Sequence, residues 1–533
     1  MRASRSNDLF LLVKRYALTL ALLLAAPTLL AQDTAIPQFE IKQYVVEGNT
    51  LLDSARIDQL LAPYLGASKT FGTVQQALEM LEAAYRNAGY DTVQVTLPEQ
   101  ELDQGKVRLR VIEGRISAIT LQGNTHFSNE NILASLPGLK KGAFPDLESL
   151  GAGLRVANEN ASKQTQLVMR AGGNEGEIEA LVTVKDESPI KAFANYDNTG
   201  TNETGISRFN AGWQHNNIGN LDHSLTLRYT TSDRPDRVAI AGAGYHIPLY
   251  KQGHSIDVFA GYSDVSSGVV SNLFNVSGSG KIFGLRYNQH LPRIAAYEHK
   301  LAYGLDIRAY RNSTLPINGG GSITPDYTVH PLSLTYDGRW AGDRTDTSFY
   351  SSIYYNPSGT GKSGDAVFSS VRAGASASYQ LIKLGAQHTQ LLEADWQIRA
   401  VLAMQYSNDA LVPGEQFGVG GNTSVRGFSE REVANDKGAN INLEVYSPDF
   451  GRHIQEGANI RGLVFYDQGK VWRNHALPGE TSRAGIASLG AGLRMGIGKS
   501  FTLKFDAARI VEEDGYKRQD SSPKVHFGMG YIF

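Results

Sequence analysis

The chain has 533 residues, enough for more than one domain, and its formal net charge of -2 gives no overall positive field to attract nucleic acid. It contains no cysteine, which excludes disulfide bonds and thiolate metal sites. Charged residues make up 20% of the chain, a composition that suits a soluble protein but also an outer-membrane β-barrel, whose strands alternate apolar and polar residues.

The first 31 residues have the features of a secretory signal peptide. Four basic residues precede an apolar segment, residues 16–31, that ends in Ala31. This segment is short for a membrane-spanning helix, which needs about 20 residues; an uncleaved N-terminal anchor is the alternative. We therefore expect export to the periplasm or the outer membrane, with residues 32–38 as a short linker.

Residues 39–113 mix strand-like and helical spacing in the order strand, helix, helix, strand, strand. The helical pattern is clearest where Val74, Leu78 and Leu81 recur three or four positions apart, and Gly89 ends that helix. The predicted elements are strand 39–46, helices 54–64 and 73–88, and strands 93–97 and 106–112.

The same order repeats in residues 114–187. Gly123-Asn124 follows its strand as Gly48-Asn49 follows the first one, 75 residues earlier. Such a repeat predicts two copies of one α+β module; a single α+β domain of about 150 residues is the alternative. The predicted elements are strand 116–122, helices 128–136 and 147–158, with Ser128 as a helix N-cap, and strands 165–170 and 177–184.

Residues 189–533 lose the helical spacing, and apolar residues alternate with polar ones to the C-terminus. Such alternation, apolar outside and polar inside, is typical of an outer-membrane barrel. A soluble β-sandwich also alternates, but charged residues on the second face suit a water-filled lumen better. Sixteen strands are predicted, starting near residues 190, 206, 224, 237, 255, 281, 299, 329, 347, 368, 395, 439, 459, 486, 501 and 525.

The connections give this barrel an orientation. If the modules are periplasmic, the first strand runs outward, and the longest connection, residues 407–438, is external. The turn 498–500 is then periplasmic and short, which matches the usual asymmetry of such barrels. The predicted fold is a 16-stranded antiparallel transmembrane β-barrel, preceded by two periplasmic α+β modules of the order βααββ.

Six segments, distributed over nearly the whole chain beyond the signal peptide, form a pattern in a fixed order. They are residues 85–90, residues 97–102 with 111–116, residues 196–200, residues 217–222, Val425-Arg426-Gly427-Phe428 and Phe465-Tyr466-Asp467-Gln468-Gly469. Taken together, they resemble the two-partner secretion transporters of the outer membrane (TpsB proteins), whose periplasmic modules are called polypeptide-transport-associated (POTRA) domains.

The resemblance implies that the protein recognises one large exoprotein of the TpsA type and secretes it across the outer membrane; activation of that partner is left open. Two modules favour secretion, because the related barrel-assembly factor carries five modules and the translocation-assembly relative three. A protein insertase of the same superfamily and a passive porin are the alternatives, and a surface adhesin would need longer external loops.

Members of this family often carry an N-terminal helix that plugs the pore. Here the seven residues 32–38 separate the signal peptide from the first predicted strand, and seven residues span at most about 25 Å when extended. We therefore expect the helical plug to be missing and the long loop to limit leakage.

In the resembling family the loop arginine meets the strand aspartate, which implies that Arg426 pairs with Asp467 and pins the loop to the inner wall. A guanidinium fork on a carboxylate is directional and charge-assisted. The alternative is that Arg426 is a solvated loop residue and Asp467 an ordinary lumen charge. Val425, Gly427 and Phe428 complete the loop motif, and Phe465 and Gly469 complete the strand motif.

The second strand of each predicted module is expected at a sheet edge, where an unfolded partner could add a strand of its own. Completing the module's own core is the alternative role, and the two roles are compatible. The candidate contact residues are Thr92, Val93, Val95 and Leu97 in the first module and Thr165, Leu167 and Met169 in the second.

Phe533 ends the chain, with Tyr531 and Phe527 on the same face of the last predicted strand. This pattern fits the terminal-strand signal read by the barrel-assembly machinery, or an ordinary lipid-facing aromatic band. We expect periplasmic chaperones and the lipid bilayer as further partners, and a monomer.

No catalytic motif stands out. The twelve histidines show no paired metal spacing, and neither a Gly-x-Ser-x-Gly motif nor a phosphate-binding loop is present. We therefore expect no enzymatic activity, no cofactor, no metal and no nucleic-acid partner.

Overall fold

The computed structural model describes residues 37–101, 104–202, 204–264, 268–271, 274–276, 279–311, 325–516 and 524–533. The predicted signal peptide and all but the last two linker residues lie outside the described residues. The described chain forms two compact units: one comprises the residues up to Ala88 together with Val93–Glu113, and the other comprises Gly89–Thr92 with Gly114–Phe533. Across the ranges described, no helix has the length and apolarity to cross a membrane.

The first module is a mixed three-stranded sheet with two helices. Strand β5 is central: it pairs in parallel with β2 and antiparallel with β4, which leaves β4 at the sheet edge. A small pair, β1 with β3, was not predicted. The elements are β1 (Phe39–Ile41), β2 (Gln43–Glu47), α1 (Ser54–Leu61), β3 (Gly66–Lys69), α2 (Phe71–Asn87), β4 (Gln94–Thr96) and β5 (Lys106–Ile112).

The second module repeats this plan in the predicted order. Strand β8 lies between β6 (parallel) and β7 (antiparallel), and Ser128 caps its first helix by accepting from the Asn131 N–H. Its core contains Ile116, Leu136, Leu150 and Val182. The elements are β6 (Arg115–Gln122), α3 (Asn129–Ala134), α4 (Leu147–Ala157), β7 (Lys163–Ala171) and β8 (Glu177–Asp186).

The repeated glycine has the same physical cause in both modules. Gly48 and Gly123 have φ values of +83° and +87°, a region that glycine adopts without steric cost. A Cβ would lie 2.3 Å from the Val111 carbonyl oxygen in the first module and 2.3 Å from that of Val184 in the second. Each strand therefore ends in a turn that passes directly over the last strand of its module.

A carboxylate closes each of these turns. Glu113 accepts from the N–H groups of Thr50 and Leu51 (2.6 and 3.0 Å). Asp186 accepts from the N–H of Thr125, at 2.9 Å from its Oδ2, and from those of the next two residues. The repeat thus extends beyond the glycine to the acid that ends each module.

Sixteen antiparallel strands close into a barrel, as predicted, and a short segment before strand 8, Tyr327–Val329, adds a further pairing with strand 7. Strand 16 closes the ring against strand 1 through five paired residues, from Gly528 opposite Asp197 to Ile532 opposite Phe193. In chain order the barrel strands 1 to 16 are Ile190–Asp197, Arg208–Ile218, His223–Ser232, Ile240–Leu249, His254–Ser263, Ser279–His290, Tyr297–Arg311, Leu332–Ala341, Thr345–Asn356, Tyr379–Leu391, Gln397–Tyr406, Lys437–Tyr446, Ala458–Trp472, Arg483–Ile497, Phe501–Asp514 and Val525–Ile532.

The strand predicted near residue 368 is wrong. Residues Asp365–Val371 form a helix, α5, in the external connection, and barrel strand 10 begins only at Tyr379. Val367, Phe368 and Val371 follow helical spacing, and Phe368 is fully buried in a cluster that includes Leu411 of the long loop. This connection therefore packs on the next external loop.

The alternation has the predicted sense in strand 13. Val464 is 57% exposed on the outer face, whereas Phe465 and Asp467 are 2% and 0% exposed inside. The connection after strand 11 is again the longest external one among those described, and the turn 498–500 is short. Charged residues thus line the lumen where the long loop enters it.

Candidate functional site: the long loop inside the barrel

The long loop between barrel strands 11 and 12, residues 407–436, folds back against the inner wall. Its two limbs pair as short antiparallel strands, Phe417–Val419 with Val433–Asn435. Its apolar side chains pack in a buried cluster with strands 13 and 14. The cluster members are Val419, Val425, Phe428, Val433, Val471, Ala484 and Ile486.

Arg426 and Asp467 lie in direct contact. The Arg426 Nε and Nη2 atoms donate to the two oxygens of the Asp467 carboxylate, each over 2.7 Å. The backbone N–H of Arg426 also donates to Asp467 Oδ2 (3.1 Å). The two side chains are 4% and 0% exposed. The structure thus brings together the two residues that the motifs placed in a pair.

Three more wall groups surround the guanidinium. Arg426 Nη1 lies 2.8 Å from Glu444 Oε1 and 3.5 Å from Asp506 Oδ1. The Phe465 ring centroid is 3.5 Å from Arg426 Cζ, which adds a cation–π contact. The sequence analysis missed Glu444 and Asp506. The alternation of strands 12 and 15 predicts that both side chains face the lumen, but it does not predict that they contact Arg426.

Two wall arginines balance these carboxylates. Arg399 Nη1 binds Glu444 Oε2 and Arg494 Nη1 binds Asp506 Oδ1, each over 2.9 Å. Three arginines therefore face three carboxylates, and the formal charges sum to zero. We call this group the charge network; its members are Arg399, Arg426, Arg494, Glu444, Asp467 and Asp506.

The charge network spans several levels of the inner wall. Glu444 is two residues from the inner end of strand 12 at Tyr446, whereas Asp467 is five residues from the external end of strand 13 at Trp472. The loop that carries Arg426 therefore occupies lumen that a translocating chain would need.

Two glycines of the predicted motifs permit this close approach. A Cβ on Gly469 of strand 13 would lie 2.9 Å from the Cβ of Val419 in the loop. Gly427, with φ +90°, donates its N–H to His526 Nε2 (2.9 Å), and a Cβ there would lie 3.0 Å from that of Ala508. Both motifs need glycine because loop and wall meet at van der Waals distance.

Glu430, beyond the loop tip, is a buried acid. Its Oε1 accepts from the Asn422 N–H at 2.7 Å. Burial raises the pKa of Glu430 to about 7, because the Asn422 hydrogen bond and the charge of Lys524 only partly offset the lost hydration. The loop therefore carries a group that titrates near neutral pH.

The predicted partner-contact residues lie at the sheet edges, but most of their side chains face the module cores. Val93, Val95 and Thr165 are 9%, 4% and 2% exposed. Leu167 and Met169 pack against the core of the second module. These side chains therefore pack in the hydrophobic cores of their own modules.

The edge strands themselves differ in length. Strand β4 has three residues, so Thr92 and Leu97 flank it rather than belong to it. Strand β7 has nine, and Val168 on its outer face is 45% exposed. The longer edge, in the second module, thus offers more backbone to an added strand.

The three C-terminal aromatic residues have different surroundings. Tyr531 and Phe533 are 45% and 73% exposed on the outer face. Phe527 lies at the closing seam, where its ring is 6.0 Å from that of Tyr196 and its N–H donates to Asn198 Oδ1 (2.8 Å). Asn198 comes from the barrel-entry motif, so that motif helps to hold the last strand to the first.

The second module is joined to the barrel by a buried ion pair. Lys163 of β7 binds Asp222 in the first periplasmic turn, and their side chains are 0% and 1% exposed. Asp222 also accepts from Asn131 Nδ2 (3.0 Å) and from the Tyr250 hydroxyl. The predicted motif at residues 217–222 is thus the docking turn for the second module.

A cavity of about 1030 Å³ opens beside this junction, between α4 and the inner faces of strands 6 to 11. Glu159, at the end of α4, reaches His290 Nε2 of strand 6 over 3.1 Å. The charged lining residues are Arg155, Glu159, Arg293, Glu298, Lys300, Asp337 and Arg339. In the part of the chain that the structure covers, no group of three His, Asp or Glu residues is placed to hold a metal ion.

Known proteins match this chain over most of its length. The family model described as "Haemolysin secretion/activation protein ShlB/FhaC/HecB" matches residues 176–495, and that of the ShlB-type POTRA domain matches residues 39–114. The outer membrane transporter CdiB of Escherichia coli is 25% identical over 421 residues, 77% of this chain and 69% of CdiB.

Two further comparisons agree. The heme/hemopexin transporter protein HuxB of Haemophilus influenzae is 21% identical over 501 residues, 90% of this chain and 84% of HuxB. A solved structure of CdiB from Escherichia coli superposes with a TM-score of 0.72 at 20% identity, with 100% of both chains covered, which supports the fold. Because the first family model covers 320 of the 533 residues, the chain belongs to the haemolysin secretion/activation protein ShlB/FhaC/HecB family.

Proposed function

We propose that this outer-membrane transporter of two-partner secretion passes one large exoprotein through its barrel and that the long loop is the gate. The observation that carries the gate is the buried Arg426–Asp467 pair, with 2.7 Å contacts that fix the loop inside the lumen. The related transporters are named for different systems, so the partner of this chain is defined here by class alone, as a large secreted protein.

The second module is positioned to deliver this partner. Its edge strand β7 begins at Lys163, which is itself bound to the barrel at Asp222. A partner strand added to β7 by backbone hydrogen bonding would therefore lie beside the periplasmic mouth. The cavity of about 1030 Å³ next to α4 gives the partner space on the lumen side of this junction.

The charge network suits a gate that opens into water. When the loop leaves, the wall keeps three carboxylates and two arginines, a formal charge of -1. Separating buried charges is costly in a dry site, and the cost falls as water enters. Opening is therefore coupled to hydration of the lumen, and a passing hydrophilic chain assists it by displacing the loop.

The proposal is tested with Arg426→Ala and Asp467→Asn, measuring the exoprotein in the medium and single-pore conductance in planar bilayers. Each variant leaves a charge without its partner, so the loop should lose its fixed position inside the lumen. Open events should then become more frequent, and secretion, which uses the positioned loop as its gate, should fall by at least about tenfold. The control is Glu512→Gln, which removes a partly exposed pair with Lys470 away from the loop tip. Wild-type secretion and conductance in Arg426→Ala would refute the gate.

Further parts of the proposal concern the partner and the assembly. The barrel-assembly machinery reads the C-terminal strand with Phe527, Tyr531 and Phe533, periplasmic chaperones deliver the precursor, and the transporter acts as a monomer. It performs no covalent chemistry and uses no cofactor. A deletion of the gene tests the transporter assignment. If a large secreted protein encoded beside the gene still reaches the medium, the assignment is refuted and the insertase or the porin is favoured.

A further inference from the structure

The long loop also touches the wall on the other side of the barrel. Its first limb contains the short turn Pro413–Glu415, and the Glu415 side chain is 2% exposed. Arg308 Nη1 of strand 7 donates to both Glu415 oxygens, at 3.0 and 3.1 Å. The Tyr310 hydroxyl, on the same strand, donates to Glu415 Oε1 at 2.8 Å. Glu415 is thus held by three hydrogen bonds from one strand.

The wall side of this contact is itself fixed. Arg308 Nη2 donates to Asp306 Oδ2 over 2.6 Å, and Arg286 of strand 6 binds the same carboxylate over 2.5 and 3.0 Å. The four charges alternate in sign from Arg286 to Glu415 and sum to zero. Asp306 therefore orients Arg308 toward the loop, and Asp306 is itself held by its hydrogen bonds from Arg286.

The loop backbone is shaped for this approach. The Gly414 N–H donates to the Tyr327 hydroxyl at 2.9 Å, and a Cβ on Gly414 would lie 2.5 Å from the Tyr310 ring. The rings of Tyr310 and Tyr327 stack with centroids 4.8 Å apart. A glycine against two stacked tyrosines lets the turn come close enough for the Glu415 carboxylate to reach Arg308.

The two contacts are on different walls of the barrel. Strand 7 is six strands from strand 13 and eight from strand 15 in the ring of sixteen. Arg308 is three residues from the external end of strand 7 at Arg311, and Asp467 is five residues from that of strand 13 at Trp472. The loop is therefore fixed at two separate places on the wall, its base on strand 7 and its tip on strands 12, 13 and 15.

We propose that Glu415 is a second anchor of the gate, which holds the base of the loop against strand 7 and must separate from Arg308 before the exoprotein can leave. The inference rests on the proposed gating function. Release of Arg426 alone then frees the loop tip and leaves the loop base on strand 7, so the pore opens only in part, and Glu415 is a positioning residue whose effect is distinct from that of the loop tip.

The test uses the full-length protein in planar bilayers and in secreting cells. Glu415→Gln keeps the side-chain shape, removes the charge, and should raise the open fraction of the pore by at least about tenfold. The double variant Glu415→Gln with Arg308→Gln leaves Asp306 paired with Arg286. Its open fraction should equal that of Glu415→Gln alone to within about threefold, because the two residues act through one contact, whereas independent structural roles would make the two effects add. Tyr310→Phe, which deletes a single hydroxyl, gives a smaller increase and serves if Glu415→Gln fails to assemble.

The combination with Arg426→Ala separates this inference from the gate itself. If the two anchors hold different parts of the loop, Glu415→Gln with Arg426→Ala should give larger conductance steps than either variant alone. Identical steps in the double variant and in Arg426→Ala would overturn the second anchor while leaving the gate intact. Wild-type conductance in Glu415→Gln, together with increased opening in Arg426→Ala, would also overturn the second anchor. Wild-type conductance and secretion in Arg426→Ala would instead refute the proposed function.

Discussion

The buried pair between Lys163 and Asp222 gives the sharpest prediction about how the second module is held. Asp222→Asn removes the charge that Lys163 faces and leaves the ammonium group with Asn131 Oδ1 at 2.9 Å. Burial already lowers the pKa of Lys163, and the Asp222 charge and hydrogen bond oppose that effect. Without Asp222 the lysine is an uncompensated buried cation, and docking of the module should weaken.

The magnitude follows from the burial of both side chains, at 0% and 1% exposure. Removing one partner of such a pair costs about 3–5 kcal/mol, which corresponds to roughly two to three and a half orders of magnitude in an opening equilibrium. Lys163→Met should cost less, because Asp222 keeps the donors Asn131 and Tyr250. The double variant, with no unpaired charge, should be close to wild type.

Hydrogen exchange of the protein in lipid nanodiscs measures this opening directly, because a protected amide exchanges in proportion to the open fraction. The informative amides are at residues 216–222, including Asn216, whose N–H donates to the Pro189 carbonyl at 2.8 Å. Lys499→Met is the matched control: it breaks an exposed pair with Glu187, 83% exposed at the lysine, and should change exchange by less than about tenfold. Exchange in Asp222→Asn at the control level would refute the reasoning.

Two further predictions concern the loop. Gly469→Val forces a side chain into the space of Val419, so the loop should leave the wall. Pore leakage, measured as antibiotic entry into cells, should then rise at least about tenfold. The control is Gly496→Val, where the nearest atom to a new Cβ is 3.9 Å away and leakage should not change. Glu430, with its pKa raised to about 7, binds a proton more tightly in the docked loop, so docking is favoured below that pH and weakens as pH rises through it. Open events in bilayers should therefore increase from pH 6 to pH 8, and an unchanged pH dependence in Glu430→Gln would contradict this assignment.

The sequence was sufficient for features that depend on local pattern. Alternation predicted the strand count, fifteen of the sixteen strand positions and the inward face of Asp467, and the Gly48 and Gly123 turns predicted the repeat, because both are set by backbone geometry within a few residues. The Arg426–Asp467 pair came from a resemblance between motifs, because no periodicity relates a loop to a strand 41 residues away.

The remaining features depend on contacts between distant segments. Alternation puts Glu444 and Arg308 on the lumen face but gives neither their depth nor their partner in the loop. Helix α5 was predicted as a strand because local pattern does not show that its apolar residues are buried by the long loop, where Leu411 lies 43 residues beyond Phe368. Edge position also does not tell which face of a strand the module core covers, so it could not show that the side chains of Val95 and Thr165 are buried.

The kinds of contact at the loop suggest why the gate is built from ions as well as apolar side chains. Val419, Val425 and Phe428 bury apolar surface in the closed state, and that contribution favours docking of the loop anywhere a matching surface exists. The buried ion pairs add less net stability than apolar residues of the same volume, because the charges lose their hydration. Their benefit is position, since a fork on Asp467 tolerates little displacement. They also lower the barrier to reopening: once water enters, both partners recover hydration, whereas exposed valine and phenylalanine side chains do not. A gate held only by apolar packing would close more tightly and open less readily, so replacing the Arg426–Asp467 pair by leucine and methionine should yield a stable, folded barrel that leaks less and secretes less.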